Sequence, residues 1–381
     1  MLRGNKGEWS ELYVLIKLIA DGKLYQSNIN LEKDPDNVYD IVKGYKDENN
    51  FEIVFSREDD ILIYKVNDGE TKIISRKTIQ EFQNLSENLL VGIKSGRGKS
   101  FELDSLNEVL EEFELKTVKA KSASKADVKL RIYDHRLAKE TDLGFSVKSL
   151  LGSDSTLFNP GAGTNFIYEI KNFECDDISK FNAVTYKAPN NISKLTYRLN
   201  KIQENNGVIS FVDTQSVQLW KNLKMIDGDM PAIMGYALLY RWIYREPFLS
   251  SVAELLEQND PLNFYRGEPS EQKLYEYKIK KFLVESAMGM TAEKPWHGEY
   301  DSFGGVIIAK EDGDVVCFHI YDFNLFRNYL LNNTMFEQPS TGEDKDNPGT
   351  SRTTGKKYYY GWLYEDTCNM YLKLNLQVRF R

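Results

Sequence analysis

The chain has 381 residues, of which 41% are hydrophobic and 28% are charged, and its formal net charge is −8. These proportions are ordinary for a globular protein, and the length suffices for one large domain or two ordinary ones. No apolar run reaches the ~18 residues of a membrane span and the N-terminus lacks the pattern of a signal peptide, so we expect a cytoplasmic protein with no membrane partner.

An amphipathic helix is predicted near the N-terminus, over residues 8–19. Its polar arc consists of Ser10, Lys17 and Asp21. At about 100° per residue, Glu8 and Glu11 fall on the opposite, apolar arc. Either these two acids serve a polar site within the core, or they complement the positive end of the helix in its first turn.

Residues from about 24 to 100 are predicted to form a small β-rich segment. Its short strands lie at 51–55, 61–64 and 71–74 and are separated by polar turns. One of these turns, Asn67-Asp68-Gly69, is typical of a β-hairpin. We interpret the segment as an insertion that follows the first helix.

A glycine-rich loop, Gly92–Ser100, resembles a phosphate-cradling P-loop. Its first glycine lies one residue too far from Gly98-Lys99-Ser100, and no strong continuous helix follows it. We therefore expect no nucleotide cofactor. The loop is either a plain surface turn or a basic turn whose Arg97 and Lys99 touch nucleic-acid phosphate.

Residues 126–149 predict a strand, a polar turn and a second strand, because apolar and polar side chains alternate on both sides of the turn. If the turn centres near Ala138, residue numbers of cross-strand partners sum to about 275, and Asp127 lies roughly opposite Lys148. The rival acid Asp134 lies about seven residues further along the strand, roughly 23 Å away. We interpret it as a turn residue.

Together, Asp127, Ser146 and Lys148 predict a nuclease site. A carboxylate holds Mg²⁺ through hard oxygen atoms, the metal activates water and neutralises charge on the scissile phosphate, and a lysine stabilises the same developing charge. Ser146 and Lys148 are two residues apart and therefore share a face of their strand. The alternative is a salt-bridged ladder on the surface of a hairpin.

One position departs from the usual nuclease pattern. Such enzymes normally carry Asp or Glu two residues before the lysine, where this chain has Ser146. Because a hydroxyl is a poor substitute for a carboxylate at a Mg²⁺ site, another acid should supply the missing charge. The candidates are Glu11 and Glu8 on the first helix and Glu169 in the strand-like segment 165–170, although Glu169 could equally be a surface residue of an edge strand.

The second half of the chain begins with a mostly helical stretch. We predict helices over about 214–288, with residues 232–240 buried. A strand pair follows at 305–309 and 315–320, with a turn at Asp312-Gly313-Asp314.

The polar loop from Pro339 to Gly361 is a candidate for reading DNA. Arginine can bind guanine O6 and N7 with two hydrogen bonds in the major groove, so we assign base recognition to Arg352 and phosphate contacts to Lys356 and Lys357. The alternative is a mobile, solvated loop.

The negative net charge argues against a DNA-binding protein, but the basic residues are segregated. Residues 116–136 carry seven Lys/Arg and two Asp, and residues 349–381 carry six Lys/Arg and two acids. Local basic segments can bind DNA even in an acidic protein. We expect DNA as the partner, with Lys129 and Arg131 among the contacts, although a basic strand is also common on a solvated face.

The cysteines and histidines predict no structural cross-link. Cys175, Cys317 and Cys368 are far apart in sequence, which fits a reducing compartment without a disulfide framework. The three histidines lack the spacing of zinc ligands.

Several segments of the chain resemble HpaII-type restriction endonucleases. They are Gly4–Tyr13, Gly144–Gly152, Thr164–Ile170 and Leu372–Phe380. Because these segments come from both ends and from the middle, the resemblance extends over essentially the whole chain.

The resemblance implies a type II restriction endonuclease that cuts CCGG in double-stranded DNA with Mg²⁺. It implies an α+β fold whose PD-(D/E)xK core is a mixed β-sheet flanked by helices. The family's lysine maps to Lys148 and its aspartate to Asp127, and the pattern Gly7-x-x-x-Glu11 favours Glu11 over Glu8. A palindromic site invites a symmetric homodimer. The alternative is a DNA-binding module that does not cleave, on a degenerate nuclease fold, which Ser146 keeps open.

The resulting domain prediction has three parts. Residues 1–22 supply the first helix of the catalytic core, and residues 23–103 form the β-rich insertion. Residues 104–381 complete the core, with a helical segment at about 214–290 and a C-terminal DNA-reading region at about 335–381.

Overall fold

The computed structural model describes residues 2–118, 126–152, 156–183, 193–299, 304–339 and 360–381. Helices and strands are mixed along the chain, which confirms an α+β fold. The described α-helices are α1 (Lys6–Asp21), α2 (Ile79–Ser95), α3 (Asn107–Glu112), α4 (Ile178–Asn182), α5 (Lys194–Glu204), α6 (Val217–Ile226), α7 (Met230–Ile243), α8 (Leu249–Asn259), α9 (Leu274–Ala287) and α10 (Phe323–Asn332).

The described strands begin near the N-terminus and end near the C-terminus. They are β1 (Arg3–Gly4), β2 (Lys23–Ser27), β3 (Lys33–Asp47), β4 (Glu52–Arg57), β5 (Ile61–Asn67), β6 (Glu70–Lys77), β7 (Phe101–Glu102), β8 (Val128–Asp134), β9 (Lys139–Ser149), β10 (Thr156–Phe158), β11 (Asn165–Lys171), β12 (Val208–Thr214), β13 (Gly305–Ala309), β14 (Val315–His319), β15 (Thr334–Phe336), β16 (Leu363–Asp366), β17 (Asn369–Asn375) and β18 (Val378–Phe380).

The chain divides into two compact units. Unit 1 comprises residues 1–155 and 300–326, and unit 2 comprises residues 156–299 and 327–381. Unit 1 is therefore discontinuous, because β13 and β14 return to it after the chain has built most of unit 2.

Unit 1 contains a mixed nine-stranded sheet in the order β2-β14-β13-β9-β8-β3-β4-β5-β6. Strand β13 is parallel to β9 and β14 is parallel to β2, whereas the other pairs are antiparallel. The long strand β3 also pairs with β2. This extra pairing links β2, β14, β13, β9, β8 and β3 into a closed ring of hydrogen-bonded strands.

The β-rich segment is part of this sheet rather than a separate insertion. Strand β3 pairs with β8 of the predicted catalytic hairpin, from Tyr39↔Asp134 to Tyr45↔Lys129, and with β4 further along. The expected boundary near residue 103 therefore runs through a continuous sheet, and the two compact units do not follow the three-part division. The predicted strands themselves are confirmed as β4, β5 and β6, and Asp68 and Gly69 have positive φ at the predicted turn.

Helix α2 was missed from the sequence. It begins with a capping box, in which the Thr78 hydroxyl accepts from the Glu81 backbone N–H and the Glu81 carboxylate accepts from Thr78. Its apolar side chains recur at helical spacing and are buried: Phe82, Leu85, Leu89 and Ile93. These residues join the hydrophobic core that α1 forms with the sheet.

Helix α1 confirms the predicted first helix and is almost entirely enclosed. At Gly44 on β3 the helix approaches so closely that a Cβ atom would lie 2.5 Å from the Leu15 methyl carbon. The prediction placed Ser10 on the polar arc, which is wrong. Ser10 is fully buried, and its hydroxyl lies 2.8 Å from the hydroxyl of Ser149 on β9. A serine can face a core when another hydroxyl satisfies it.

Unit 2 combines helices with smaller sheets. One is four-stranded and antiparallel in the order β12-β11-β17-β16, and another has the order β10-β18-β15. The predicted helical stretch is confirmed as α6 to α9, and most of α7 is buried. Helix α7 lies against the sheet, where the Tyr168 hydroxyl donates to the Gly235 carbonyl at 2.7 Å.

Two further features bear on the expectations from composition. No helix among the described residues is long and apolar enough to cross a membrane. Cys175, Cys317 and Cys368 are free thiols, and Cys317 is buried.

Candidate functional site

The predicted catalytic hairpin is present in unit 1, but its register differs from the prediction by two residues. Val128 lies opposite Phe145, and Asp134 lies opposite Lys139. The connection is therefore centred before Ala138, which adopts a positive φ of 49°. Asp127 consequently lies beside Ser146 rather than opposite Lys148.

Three hydrogen bonds fix Asp127 at the end of β8. Its carboxylate oxygen Oδ2 accepts from the Ser146 hydroxyl at 3.1 Å and from the Val147 backbone N–H at 2.8 Å. Its own backbone N–H donates to the Phe145 carbonyl at 3.0 Å. The carboxylate is thus held in one orientation against β9.

Lys148 lies on an inner strand, since β9 is flanked by β8 and β13 and Lys148 pairs with Ile308. The protein around the side chain desolvates the ammonium group and lowers the pKa of Lys148, while the negative charges of Asp127 and Glu11 oppose that shift. The three charged groups therefore share one local electrostatic environment. Asp127 and Glu11, two of the acids that the sequence predicted for the site, therefore both lie close enough to Lys148 for their charges to act on it.

A pair of serines fixes α1 beside β9, the strand that carries Lys148. The Ser10 hydroxyl donates to the Lys6 carbonyl at 2.7 Å, so in the contact between Ser10 and Ser149 the donor is Ser149. Ser149 directly follows Lys148 in β9, and Ser10 directly precedes Glu11 in α1. The serine contact thus holds the two elements together next to the lysine and the glutamate.

Glu8, the other acid that the sequence placed on the apolar arc of α1, caps the start of that helix. The Glu8 carboxylate accepts from the Asn5 backbone N–H at 2.8 Å, while the Asn5 side chain accepts from the Glu8 N–H at 3.0 Å. This reciprocal arrangement is a capping box, the helix-end role that was the alternative for Glu8 in the sequence. We therefore remove Glu8 from the candidate metal ligands.

Glu169 lies in unit 2, whereas Asp127, Lys148 and Glu11 all belong to unit 1. Its strand β11 is paired on both sides, with β12 and β17, so the alternative of an edge strand is wrong. The Glu169 carboxylate forms an ion pair with Lys171 at 3.2 Å.

The donor atoms near Lys148 fit a magnesium ion. Asp127 and Glu11 offer hard carboxylate oxygens, and Mg²⁺ is commonly held by one or two carboxylates together with water and substrate phosphate. Within the described part of the chain, no three side chains of His, Cys, Asp or Glu converge into a metal site by themselves. The set therefore suits a metal shared with a phosphate better than a closed structural metal.

Two of the residues predicted to contact DNA, Arg131 and Lys129, interact with acidic residues of the sheet. Arg131 donates two hydrogen bonds to the Asp142 carboxylate, at 2.8 and 2.7 Å. The Lys129 ammonium lies 3.8 Å from Glu52 and over the ring of Tyr45. This part of the hairpin is the salt-bridged ladder that was the alternative for the whole segment.

Of the remaining predicted DNA-contacting residues, Arg97 and Lys99 lie within the described part of the chain. Arg97 and Lys99 are exposed in the loop after α2, so the loop follows a helix rather than leading from a strand into one, as a P-loop does. Arg352, Lys356 and Lys357 lie outside the described residues.

The sequence reading missed Lys46 and Glu48, which are buried at the end of β3. Alternate residues of the second half of β3, Gly44 and Lys46, face inward. A lysine and a glutamate that continue the buried register of a strand are the signal that could have identified them.

The chain was compared with known proteins. The family model described as HpaII restriction endonuclease matches residues 5–380. The Type II restriction enzyme HpaII of Haemophilus parainfluenzae is 32% identical over 381 residues, which is 99% of this chain and 98% of that protein. No solved structure matches the chain.

Proposed function

Because the chain belongs to the HpaII restriction endonuclease family and is a type II site-specific deoxyribonuclease, we propose that it cuts double-stranded DNA at CCGG by Mg²⁺-dependent hydrolysis on a PD-(D/E)xK core. The observation that carries the proposal is the grouping of Asp127, Glu11 and Lys148 in unit 1. Two acids beside a desolvated lysine are the groups that such chemistry needs.

Asp127 and Glu11 would hold the metal. A bound Mg²⁺ supplies Lewis-acid activation of water and neutralises charge on the scissile phosphate. Ser146 and the Val147 N–H orient the Asp127 carboxylate through Oδ2. In this arrangement Glu11 supplies the second carboxylate, which related nucleases carry at the position of Ser146.

Lys148 would stabilise the charge that develops on the phosphate. Its ammonium is attracted by two carboxylates that are fixed on different elements, β8 and α1. A preorganised cation in a desolvated site stabilises a developing oxyanion more than a solvated one does.

Plasmid cleavage tests the proposed chemistry. We expect discrete fragments with Mg²⁺, none with EDTA, and none with Asp127→Asn, while the affinity of Asp127→Asn for DNA remains close to that of the wild type. Asp142→Asn is the matched control because it removes an acid from the same hairpin within the ion-pair ladder. Sequencing the cut ends tests CCGG directly. Full activity of Asp127→Asn would refute the assignment, and a gel shift without any cutting by the wild type would favour the non-cleaving module.

DNA recognition would involve the loop from Pro339 to Gly361 and the loop Gly92–Ser100. Arg352 is proposed to read guanine, with Lys356, Lys357, Arg97 and Lys99 on phosphates. We expect Arg352→Gln to weaken discrimination against altered sites by about 1–3 kcal/mol. Replacement of Lys356 should instead weaken binding to all sequences and reduce the salt dependence of the affinity. Uniform loss in both variants would remove Arg352 from base recognition.

A palindromic site would be cut by a symmetric homodimer, because two-fold symmetry matches one active site to each strand. Sedimentation of the protein alone and with a single-site DNA duplex measures the stoichiometry. A complex with one protein chain per duplex would contradict the dimer.

A further inference from the structure

The end of β3 carries two buried charged residues that the chemistry above does not use. Lys46 is 7% exposed and Glu48 is 1% exposed. The Lys46 ammonium donates to the Val118 carbonyl at 3.0 Å. The Glu48 carboxylate accepts from the Lys116 N–H at 3.1 Å and from the Thr117 N–H at 3.4 Å. Both side chains therefore hold the same segment, residues 116–118.

Val118 of this segment lies beside the start of the helix that carries Glu11. Its side chain contacts the chain just before α1, since a Cβ atom on Gly4 would lie 3.2 Å from Val118 Cγ1. The segment is thus attached to β3 on one side and to the start of the helix that carries Glu11 on the other.

Lys46 faces that helix. Gly44 has the same orientation on β3 and contacts Leu15, which lies one helical turn after Glu11. Burial lowers the pKa of Lys46, and the negative charges of Glu48, Glu11, Asp47 and Glu8, in that order, oppose the shift. Glu11 therefore interacts with two desolvated lysines, Lys148 and Lys46.

Stability alone gives no reason for this buried lysine. A buried charge requires costly desolvation, and replacement of a whole buried ion pair by apolar side chains is often neutral or stabilising, so folding does not require the pair. The hydrogen bond of Lys46 to a carbonyl could be replaced by other packing, whereas its charge beside Glu11 could not.

We propose that Lys46, held with Glu48 at the end of β3, is a positioning residue of the nuclease site. By fixing residues 116–118 beside the start of α1 and attracting Glu11, it holds the Glu11 carboxylate in place for the divalent cation that Glu11 would share with Asp127. This proposal rests on the proposed function, because it assigns a task within the same site. Lys46 itself does not touch the substrate.

The test compares Lys46→Met with Lys46→Arg in the full-length protein. Lys65→Met is the matched control, since Lys65 lies on β5 of the same sheet and forms an ion pair with Glu114. We expect Lys46→Met to remain folded and to bind CCGG duplex in EDTA like the wild type. Its cleavage rate should fall about 10–100-fold, with a higher Mg²⁺ concentration at half-maximal rate. Lys46→Arg should recover part of the loss, and Lys65→Met should stay within about twofold of the wild type.

Each outcome decides the proposal. Wild-type cleavage and an unchanged Mg²⁺ requirement in Lys46→Met would overturn it while leaving the nuclease assignment intact. If Lys46→Met does not fold, Glu48→Gln replaces it, and wild-type kinetics there would equally overturn the proposal. If the wild type cuts no DNA, the proposed function is refuted. The rise in melting temperature on addition of Mn²⁺ then tests the positioning role of Lys46. A rise that the wild type shows and Lys46→Met lacks supports the positioning role, and an equal or absent rise refutes it.

Discussion

The two halves of the β8–β9 hairpin use charge in opposite ways. Toward the turn, Arg131 and Asp142 form a two-fold hydrogen-bonded ion pair, and the Tyr45 hydroxyl donates to the same carboxylate at 2.9 Å. The hydrogen bonds from Arg131 lower the pKa of Asp142, so each partner favours the charged form of the other. This half behaves as an ordinary surface ladder.

At the other end, burial works against the charged form of the lysine. Desolvation lowers the pKa of Lys148 despite two neighbouring carboxylates. A cation kept where the protein disfavours its charge is a sign of function, because strongly perturbed pKa values concentrate at functional sites. In the ladder the pKa shifts of Arg131 and Asp142 favour the charged forms, whereas the shift of Lys148 disfavours its charge. The direction of the pKa shift therefore distinguishes the two halves better than residue type does.

The largest expected effect tests this distinction directly. Lys148→Met should reduce cleavage by about 10²–10³-fold, because it removes the cation that is proposed to stabilise the developing charge. Its thermal stability should fall in the absence of metal, because Asp127 and Glu11 lose the neighbouring positive charge, and Mg²⁺ should restore part of the loss. Single-turnover cleavage and thermal melting measure the two quantities.

Arg131→Met is the matched control, since it removes a cation from the other half of the same hairpin. We expect it to lose less than about tenfold in rate. Equal losses in the two variants would show that the halves are not functionally distinct.

The second prediction adds a negative charge beside Asp127. Ser146→Asp would place a second carboxylate about 3 Å from Asp127, where the hydroxyl lies 3.1 Å from Oδ2. Without metal the two like charges should lower the melting temperature, and Mg²⁺ should restore it. We expect the Mg²⁺ concentration for half-maximal cleavage to fall by about tenfold. A melting temperature that does not respond to Mg²⁺ would contradict a metal site here.

The third prediction concerns acid sensitivity near the hairpin turn. His319 is 2% exposed and stacks on Tyr39, and burial together with the nearby Arg136 charge lowers the pKa of His319 to about 4. The unfolded chain binds the proton at its ordinary pKa, so stability is complete above that value and is lost as the pH falls from about 6.5 through 4. The loss should be on the order of 3 kcal/mol.

Urea denaturation between pH 7 and pH 4 measures this loss, and His319→Phe should flatten the dependence. A slope that is identical in His319→Phe would assign the acid sensitivity to other groups. Lys148→Met should leave the slope nearly unchanged, because the acid-sensitive group belongs to the turn end of the hairpin.

The smallest effect is expected in the ladder. Arg131 and Asp142 are about one-third exposed, so their ion pair is screened by water. Asp142→Asn should therefore change the free energy of unfolding by less than about 1 kcal/mol. A double-mutant cycle with Arg131→Met measures the pair, and a coupling several times larger would mean that the ladder is not an ordinary surface pair.

Much of unit 1 could be predicted from local patterns. Alternation gave β8 and β9, the strand pair on either side of Asp312-Gly313-Asp314 gave β13 and β14, and helical spacing gave α1. The charge of Asp127 does act on Lys148, as expected. The predicted register of β8 and β9 was wrong by two residues, because the bend between the strands depends on the backbone of Ala138, whose positive φ is unusual for an alanine. Helix α2 was missed although Thr78 and Glu81 form a capping box before its apolar stripe.

The remaining features depend on contacts that are distant in sequence. No local pattern indicates that β13 pairs with β9, or that β3 joins the predicted insertion to the hairpin. Lys46 reads as an exposed strand residue until β3 is known to carry α1 on that face. Pairing between strands that are distant in sequence therefore determines the strand order and the burial of Lys46, which sequence periodicity alone does not indicate.

The return of Gly305–Ala309 to the side of Phe145–Ser149 has a consequence for biosynthesis. During translation the strand that bears Lys148 leaves the ribosome long before its parallel neighbour, so its edge stays open for the time needed to make about 150 further residues. Premature termination before residue 305 would therefore release a polypeptide whose strand β9 has an unprotected edge and is prone to aggregate.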